Sequence, residues 1–156
     1  MALEIERKFL VKRDLLPTLI DPIPIQQAYI PTSNGTTVRV RLAGNVAMLT
    51  IKTRTISLSR NEYEFPIPVT DARELIEKAC HANLVEKDRH LVRHGGLIWE
   101  IDIFSGRNEG LIVAEIELEQ EDQEFDLPDW AAEEVSDDSR YSNSNLAIFP
   151  YSSWAR

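Results

Sequence analysis

Charged side chains recur at every second position in several short segments of this sequence. The segment EIERKF, which begins at Glu4, places Glu4, Glu6 and Lys8 on one parity and the apolar Ile5 and Phe9 on the other. Successive side chains leave a β-strand on opposite faces, so this spacing predicts a strand with one charged face and one apolar face. The chemistry available to the charged face depends on whether it meets solvent or the interior of the fold.

The same alternation recurs along the chain. The segments that carry it are IQQAYIP at 25–31, TVRVRLA at 37–43, MLTIKTR at 48–54, RNEYEFPI at 60–67, LVEKDRHLV at 84–92, LIWEIDIF at 97–104 and LIVAEIELE at 111–119. Short links rich in Gly and Asn separate several of these segments, which favours antiparallel strands joined by hairpins. With the N-terminal strand, the pattern predicts a mainly β fold of the α+β kind, an eight-stranded antiparallel β-barrel with a few helices packed outside.

The sequence predicts few helices. A helix is predicted over 70–82, with Thr70 or Asp71 as its N-cap, and a second short helix is predicted near Asp129. The C-terminal tail mixes Ser, Asp and Asn with aromatic residues, and we expect it to wrap around the barrel with one helical turn. Residues 1–156 are expected to form a single domain.

The charged parity could face either solvent or the barrel interior. For any single strand the solvated face is the more common arrangement. Like charges, however, cluster by strand, as in Arg39 and Arg41 or in Glu115, Glu117 and Glu119, whereas a solvated face tends to interleave the signs. If the helices and the C-terminal wrap cover the apolar parity, the barrel becomes a polar tunnel.

A charged tunnel implies particular ligands. Unpaired buried charge is costly, so such a lining requires water, metal ions and a charged ligand. Carboxylates suit Mg²⁺ or Mn²⁺, and arginine and lysine suit phosphates. Both sets in one cavity predict a linear polyphosphate bridged by divalent cations.

The bulk composition limits the partners. A net charge of -9 weighs against nonspecific nucleic-acid binding. No apolar stretch approaches the ~20 residues of a membrane-spanning helix, and the N-terminus has no signal-peptide layout. The single cysteine, Cys80, suits a reducing compartment. We expect a cytoplasmic protein with a small-molecule substrate and with neither a nucleic-acid nor a membrane partner.

The segment EIERKF resembles the N-terminal ExExK signature of the CYTH superfamily, the triphosphate tunnel metalloenzymes. The resemblance continues through VRVR, IK, EYEF, EKDR, EIDIF and AEIELE in the family's order and spacing, and through the tail VSDDSRYSNSNLA. It therefore covers almost the whole chain. It implies a single CYTH domain, an eight-stranded barrel tunnel and metal-dependent attack on a triphosphate.

The resemblance also implies roles for individual residues. The residues that would bind phosphate oxygens are Lys8, Arg39, Arg41, Lys52, Lys87 and Arg89, with Arg54 either joining them or lying at the tunnel mouth. The residues that would hold one or two Mg²⁺ or Mn²⁺ ions are Glu4, Glu6, Glu62, Glu64, Asp102, Glu115 and Glu117. Glu100 and Glu119 are left open between metal binding and balancing the neighbouring cations.

The expected reaction is hydrolysis of inorganic tripolyphosphate to diphosphate and phosphate by metal-activated water. Lys52 and Tyr29 form a candidate general-base pair; in the alternative, Lys52 only binds phosphate and Tyr29 packs in the barrel wall. The chain shows no evident aromatic cluster for a purine or thiazolium ring, which favours the inorganic substrate.

Other functions stay open. Thiamine triphosphate or nucleoside triphosphate hydrolysis and a class IV-type adenylyl cyclase are alternatives within the same family. A noncatalytic polyphosphate- or nucleotide-binding module is an alternative of a different class. A homodimer is also left open.

Overall fold

The computed structural model describes residues 2–54, 56–80 and 83–155. The strands are β1 (Ala2–Val11), β2 (Ile23–Ile30), β3 (Thr37–Ala43), β4 (Val46–Lys52), β5 (Ser59–Pro66), β6 (Leu84–His94), β7 (Leu97–Ser105), β8 (Ile112–Glu117) and β9 (Ala131–Glu134). The helices are α1 (Val69–Lys78) and α2 (Asn143–Ile148), and short 3₁₀ turns lie at Arg13–Leu15, Gly106–Asn108, Ser139–Tyr141 and Tyr151–Ser153. No helix in the described ranges is long and apolar enough to cross a membrane.

Eight of the strands form a closed antiparallel barrel. Their order is β5-β4-β3-β2-β6-β7-β8-β1, and the ring closes because β5 also pairs with β1. The long strand β1 makes this closure possible, since Ala2–Ile5 pairs with β5 while residues 6–10 pair with β8. The predicted eight-stranded barrel is confirmed.

The ninth strand corrects the prediction of a helix near Asp129. Residues Ala131–Glu134 pair with the C-terminal half of β1, where Phe9 lies opposite Glu134. The backbone N–H of Val135 extends this edge by donating to the Lys8 carbonyl at 2.8 Å. Because β5 leaves this half of β1 unpaired, the open edge accepts a strand, and tertiary pairing overrides the helical propensity of the Ala- and Glu-rich segment.

Helix α1 is present but begins one residue before the predicted range. Pro68 is its N-cap residue and no side chain caps it, so the predicted caps Thr70 and Asp71 are wrong. The buried Ala72, with Leu75 and Ile76, packs on the outer faces of β3 and β4. His81 and Ala82, at the end of the predicted helix, lie outside the described residues.

The apolar parity of β1 packs outside the barrel, as the alternation predicts. Ile5 and Phe9 join a buried cluster with Trp99 of β7 and Ile116 of β8. The aromatic rings interlock, with centroids 5.6 Å apart for Phe9 and Trp99 and 5.4 Å apart for Trp99 and Trp130. Since this core lies on the outer face, the barrel interior is left for the charged parity.

The C-terminal wrap covers part of one end of the barrel. Leu146 and Ala147 of α2 are buried against Val85, Phe104 and Val113, which share the parity of the charged residues on β6, β7 and β8. At this end, therefore, the interior changes from charged to apolar. The predicted ordered tail with one short helix is confirmed.

Replacing Leu146 with alanine should lower the free energy of unfolding by about 2–5 kcal/mol, because Leu146 is fully buried in this cluster. Ile148 on the same helix is 56% exposed, so Ile148→Ala should change it by less than about 0.5–1 kcal/mol. Urea denaturation of both variants measures the difference, and equal losses would contradict the packing described for α2.

Candidate active site

The charged parity lines a cavity of about 280 Å³ inside the barrel. The lining contains carboxylates and cationic side chains in nearly equal number. The lining residues are Glu4, Glu6, Lys8, Tyr29, Thr37, Arg39, Arg41, Lys52, Arg60, Glu62, Glu64, Arg89, Glu100, Glu115, Glu117, Ser142, Asn143 and Ser144. The sequence prediction that charged side chains point inward therefore holds for strands from every part of the ring.

The strand register decides which charges meet. Lys52 lies opposite Glu62, and Lys8 lies opposite Glu115. Elsewhere the register sets like charges against each other, with Glu6 opposite Glu117 and Glu100 opposite Glu115. Facing carboxylates repel, so this part of the lining favours a proton or a cation between them.

Lys52 sits between two carboxylates. Its Nζ lies 2.8 Å from Glu4 Oε2 and 3.4 Å from Glu62 Oε2. A general-base role would be favoured by cationic neighbours, which lower the pKa of a lysine, whereas the nearest partners of Lys52 in the structure are acids. Its partner in that hypothesis, Tyr29, lines the same cavity from β2, two strands away in the ring.

The cations on β3 are held by polar side chains. The Arg41 Nε donates to Gln27 Oε1 at 2.9 Å, and Gln27 Nε2 donates to the Tyr29 hydroxyl at 2.8 Å. Burial, together with the positive charges of Arg39 and Arg89, lowers the pKa of Arg41 to about 10. Arg39 donates to Thr50 at 3.2 Å, and its Nε is buried without a hydrogen-bond partner.

Lys87 and Asp102 lie behind the cavity wall. Both side chains are fully covered, and Lys87 Nζ lies 2.7 Å from Asp102 Oδ2. Asp102 also accepts from Arg89, which does line the cavity. The structure thus places these two predicted site residues next to the site but not on its surface.

Glu6 and Glu115 form a closely coupled acid pair in the lining. Burial raises the pKa of Glu6 well above its usual value, and the charges of Glu115 and Glu4 add to the rise. Burial acts the same way on Glu115, but Lys8, Lys87, Arg89 and a hydrogen bond from Glu6 outweigh it and hold its pKa far below normal. These opposite shifts favour a protonated Glu6 that donates a hydrogen bond to an ionised Glu115.

Two other predicted residues lie at or beyond the rim. Arg54 is exposed and lines an adjoining pocket of about 490 Å³ together with Ser136 and Asp138, so it is at the tunnel mouth. Gly35 leaves room for this side chain, because a Cβ at that position would come within 2.7 Å of Arg54 Cγ. Glu119 is exposed outside the cavity, whereas Glu100 lines it.

Several lining residues were missed by the sequence analysis. Arg60 donates to Thr37 Oγ1 at 3.0 Å and to the Thr53 carbonyl at 3.1 Å, which fixes it between the cavity and the mouth. It shares the parity of Glu62 and could have been found from the alternation alone. The 142–144 segment follows no strand periodicity, so no signal in the sequence placed it in the cavity.

The residues present fit a divalent cation without forming a finished cage. Within the described ranges, no group of three or more acids, histidines or cysteines is gathered closely enough to hold a metal ion. The carboxylates instead pair with lysine and arginine, or lie close enough to favour a proton on one of them, as Glu6 and Glu115 do. A cation can replace that proton, and carboxylate oxygens are the ligands that Mg²⁺ and Mn²⁺ favour.

A closed antiparallel barrel with clustered acids and cations inside is the triphosphate-tunnel architecture that the sequence resemblance implied. The CYTH domain model matches residues 2–147, and the chain belongs to the CYTH family.

Relatives align over nearly their full length. The chain is 43% identical over 151 residues to an inorganic triphosphatase of Acetivibrio thermocellus, with 97% of each chain covered. It is 37% identical over 149 residues to an inorganic triphosphatase of Nitrosomonas europaea, covering 93% of this chain and 97% of the relative. A crystal structure of an inorganic triphosphatase superposes with a TM-score of 0.69 at 35% identity, covering 95% of this chain and 96% of that one.

Glu6→Gln should stabilise the metal-free protein at about pH 8 and lose this advantage at about pH 5. The folded state holds a proton on Glu6 that the unfolded state releases, so wild-type stability falls as pH rises from the ordinary glutamate pKa through the raised one. A glutamine keeps the hydrogen bond to Glu115 without the titration. Thermal midpoints with EDTA present should rise by about 2 °C or more at the higher pH.

Glu117→Gln is the matched control, because Glu117 lines the same cavity but is exposed. Its midpoint should stay within about 1 °C of wild type at both pH values. A Glu6→Gln protein less stable than wild type at the higher pH would contradict a protonated Glu6.

Proposed function

We propose that this protein hydrolyses a triphosphate, with inorganic tripolyphosphate as the preferred substrate and diphosphate and phosphate as the products. The observation that carries the proposal is the cavity of about 280 Å³ in which cations and carboxylates face each other inside the barrel. The two relatives described above, both inorganic triphosphatases, support the same reaction. The substrate would then bind inside the ring, in contact with the lining residues Glu4, Glu6, Lys8 and Glu115.

The phosphate oxygens would bind the cations that line the cavity. Arg39, Arg41 and Arg89 are each fixed by an acceptor in the barrel wall. Guanidinium groups bind phosphate through paired N–H donors, and fixing them beforehand lowers the entropy lost on binding. Lys8 and Lys52 would add compact positive charge, with Arg54 at the mouth meeting the incoming anion and Lys87 supporting from behind.

Triphosphatases of this family generally depend on a metal ion, and we propose Mg²⁺ or Mn²⁺ here. Glu6 and Glu115 would hold it, assisted by Glu4, Glu117, Glu62 or Glu64 from neighbouring strands. When bound, such an ion would supply positive charge to the phosphate oxygens and would lower the pKa of an attacking water. The chain's own contribution is to bring carboxylates and cations to one surface and to exclude bulk water around the phosphoryl group.

The pair Lys52 and Tyr29 remains the candidate for moving a proton from the attacking water. Lys52 is buried and tied to Glu4 and Glu62, so binding of a metal ion to those acids would free its Nζ. Tyr29 would orient it through the polar chain that continues to Gln27 and Arg41.

The inorganic substrate is favoured over nucleotides by the composition of the lining. Among the described residues that line the cavity, Tyr29 supplies the one aromatic ring. A purine or thiazolium ring would have little surface on which to stack, whereas every inward cation can bind a phosphate.

We also propose that the chain forms a single domain, that the protein is cytoplasmic and that it assembles as a homodimer.

Purified protein with Mg²⁺ or Mn²⁺ should release phosphate from tripolyphosphate faster than from thiamine triphosphate or ATP. Malachite-green detection of phosphate measures all three rates, and chromatography of the ATP reaction detects cyclic AMP. Release from none of the three substrates would overturn the hydrolase proposal. Cyclic AMP and pyrophosphate from ATP would select the cyclase, and binding of tripolyphosphate without turnover would select the noncatalytic module.

Lys52→Met should lower kcat for tripolyphosphate by about 100-fold or more, because general-base catalysis contributes that much. If Lys52 only binds phosphate, KM should rise while kcat stays near wild type, which would refute the base role. Lys78→Met is the control, since Lys78 is exposed at the end of α1 and away from the cavity. Steady-state kinetics at saturating metal separates the two outcomes.

A further inference from the structure

Asp102 is fully buried and lies at the centre of an ionic network that reaches the cavity wall. Its Oδ1 accepts from Arg89 Nε at 2.8 Å, and its Oδ2 accepts from the second Arg89 nitrogen at 3.0 Å. The same Oδ2 lies 2.7 Å from Lys87 Nζ. The side chains of Asp102 and Lys87 are both 0% exposed, so the bidentate pair and the lysine contact take place away from the cavity surface.

These contacts do not suit a metal ligand. Asp102 is absent from the cavity lining, whereas Glu6 and Glu115 belong to it. Both carboxylate oxygens already accept charge-assisted bonds from two cations, and a divalent ion would have to displace one or both. Leaving Lys87 buried without its counter-charge is costly, because a buried charge stripped of its partner is strongly destabilising.

We propose that Asp102 is a positioning residue that fixes Arg89 for phosphate binding, with Lys87 as a buried counter-charge behind the wall, and that it does not coordinate the metal ion. The proposal rests on the proposed function, since that function assigns Arg89 to phosphate. It separates Asp102 from the acids of the lining, with which the sequence resemblance grouped it.

The geometry explains how the positioning works. Asp102 holds one edge of the Arg89 guanidinium, and Glu100 accepts from its NH1 at 2.8 Å. The plane of the group is therefore set before any ligand arrives. Arginine carries several freely rotating bonds, and fixing them in the unbound protein removes an entropic loss from the binding step.

Lys87 is fixed from several directions as well. Its Nζ donates to Asn143 Oδ1 at 3.0 Å and lies 5.4 Å from the centre of the Phe104 ring. Asn143 belongs to the C-terminal helix α2 and also lines the cavity. The network around Asp102 thus connects β6, β7 and the C-terminal wrap to the phosphate-binding wall.

The test compares metal binding with substrate kinetics in Asp102→Asn. Mn²⁺ titration of the substrate-free protein, followed by electron paramagnetic resonance, should give a dissociation constant within about twofold of wild type, while the KM for tripolyphosphate at saturating Mn²⁺ rises about tenfold or more. Glu115→Gln, from the lining, should weaken Mn²⁺ binding. A loss of Mn²⁺ affinity in Asp102→Asn as large as in Glu115→Gln would overturn the proposal, and so would an unchanged KM.

Glu100→Gln controls for charge, because the glutamine oxygen can still accept from Arg89 NH1 while one negative charge beside Arg89 is removed and the Asp102 contacts stay in place. A KM rise as large in Glu100→Gln as in Asp102→Asn would show that charge alone is responsible and would overturn the positioning role. If Asp102→Asn fails to fold, Asp102→Glu keeps the charge and shifts its position. That variant should retain Mn²⁺ affinity and raise KM, and lost Mn²⁺ affinity would contradict the proposal.

Failure of the proposed function would look different. Wild-type protein would then release no phosphate from tripolyphosphate, whereas the Mn²⁺ titrations of Asp102→Asn and Glu115→Gln would still report whether Asp102 binds metal. The Mn²⁺ titrations therefore test the role of Asp102 even if the protein does not hydrolyse tripolyphosphate.

Discussion

Charged side chains inside a barrel must be compensated by one another, and the rest of this structure depends on that compensation. Lys52 is held between Glu4 and Glu62, and Arg89 is held by Asp102 and Glu100. Such contacts exist only in one strand register, because a shift by one residue would send every charged side chain to the outer face. The register that stabilises the fold and the register that builds the site are therefore the same.

The apolar residues stabilise the fold from the outer face of the barrel, so the inner face can carry the charged side chains. Most antiparallel sheets bury their apolar face inside, but here Ile5, Phe9 and Trp99 pack outside the ring. They are covered by the chain around Trp130 and β9, while α1 covers β3 and β4. Each cover supplies a small core, and together these cores release the barrel interior for water, ions and ligand.

Compensation among the charges inside the barrel also allows them to exchange partners when a ligand binds. The carboxylates are occupied by lysine, arginine or a proton, and the cations are occupied by carboxylates. A polyphosphate with a divalent ion carries both signs of charge and can take over both sets of contacts. Arg39, with a buried unpartnered Nε, shows where the compensation is incomplete before the ligand arrives.

Much of this arrangement could be predicted from the sequence, because a period of two residues is a local signal. This period predicts the strands, the charged parity that points inward and most of the residues that line the cavity. It could not give β9, since only the open edge of β1 makes a strand of Ala131–Glu134. Nor could parity distinguish Asp102 and Lys87, buried behind the wall, from Glu115 on its surface. Whether an inward side chain reaches the cavity surface depends on the closure of the ring and on the C-terminal wrap, and both are set by tertiary contacts.

The central claim is that the charged face binds metal and phosphate inside the barrel. A crystal structure with Mn²⁺ and tripolyphosphate tests it most directly, because the anomalous signal of manganese locates the ion without reference to the protein model. We expect the peak inside the ring against Glu6 and Glu115, with phosphate density on Arg39, Arg41 and Arg89. Manganese and phosphate density on the outer surface, with the cavity filled by water alone, would contradict the account.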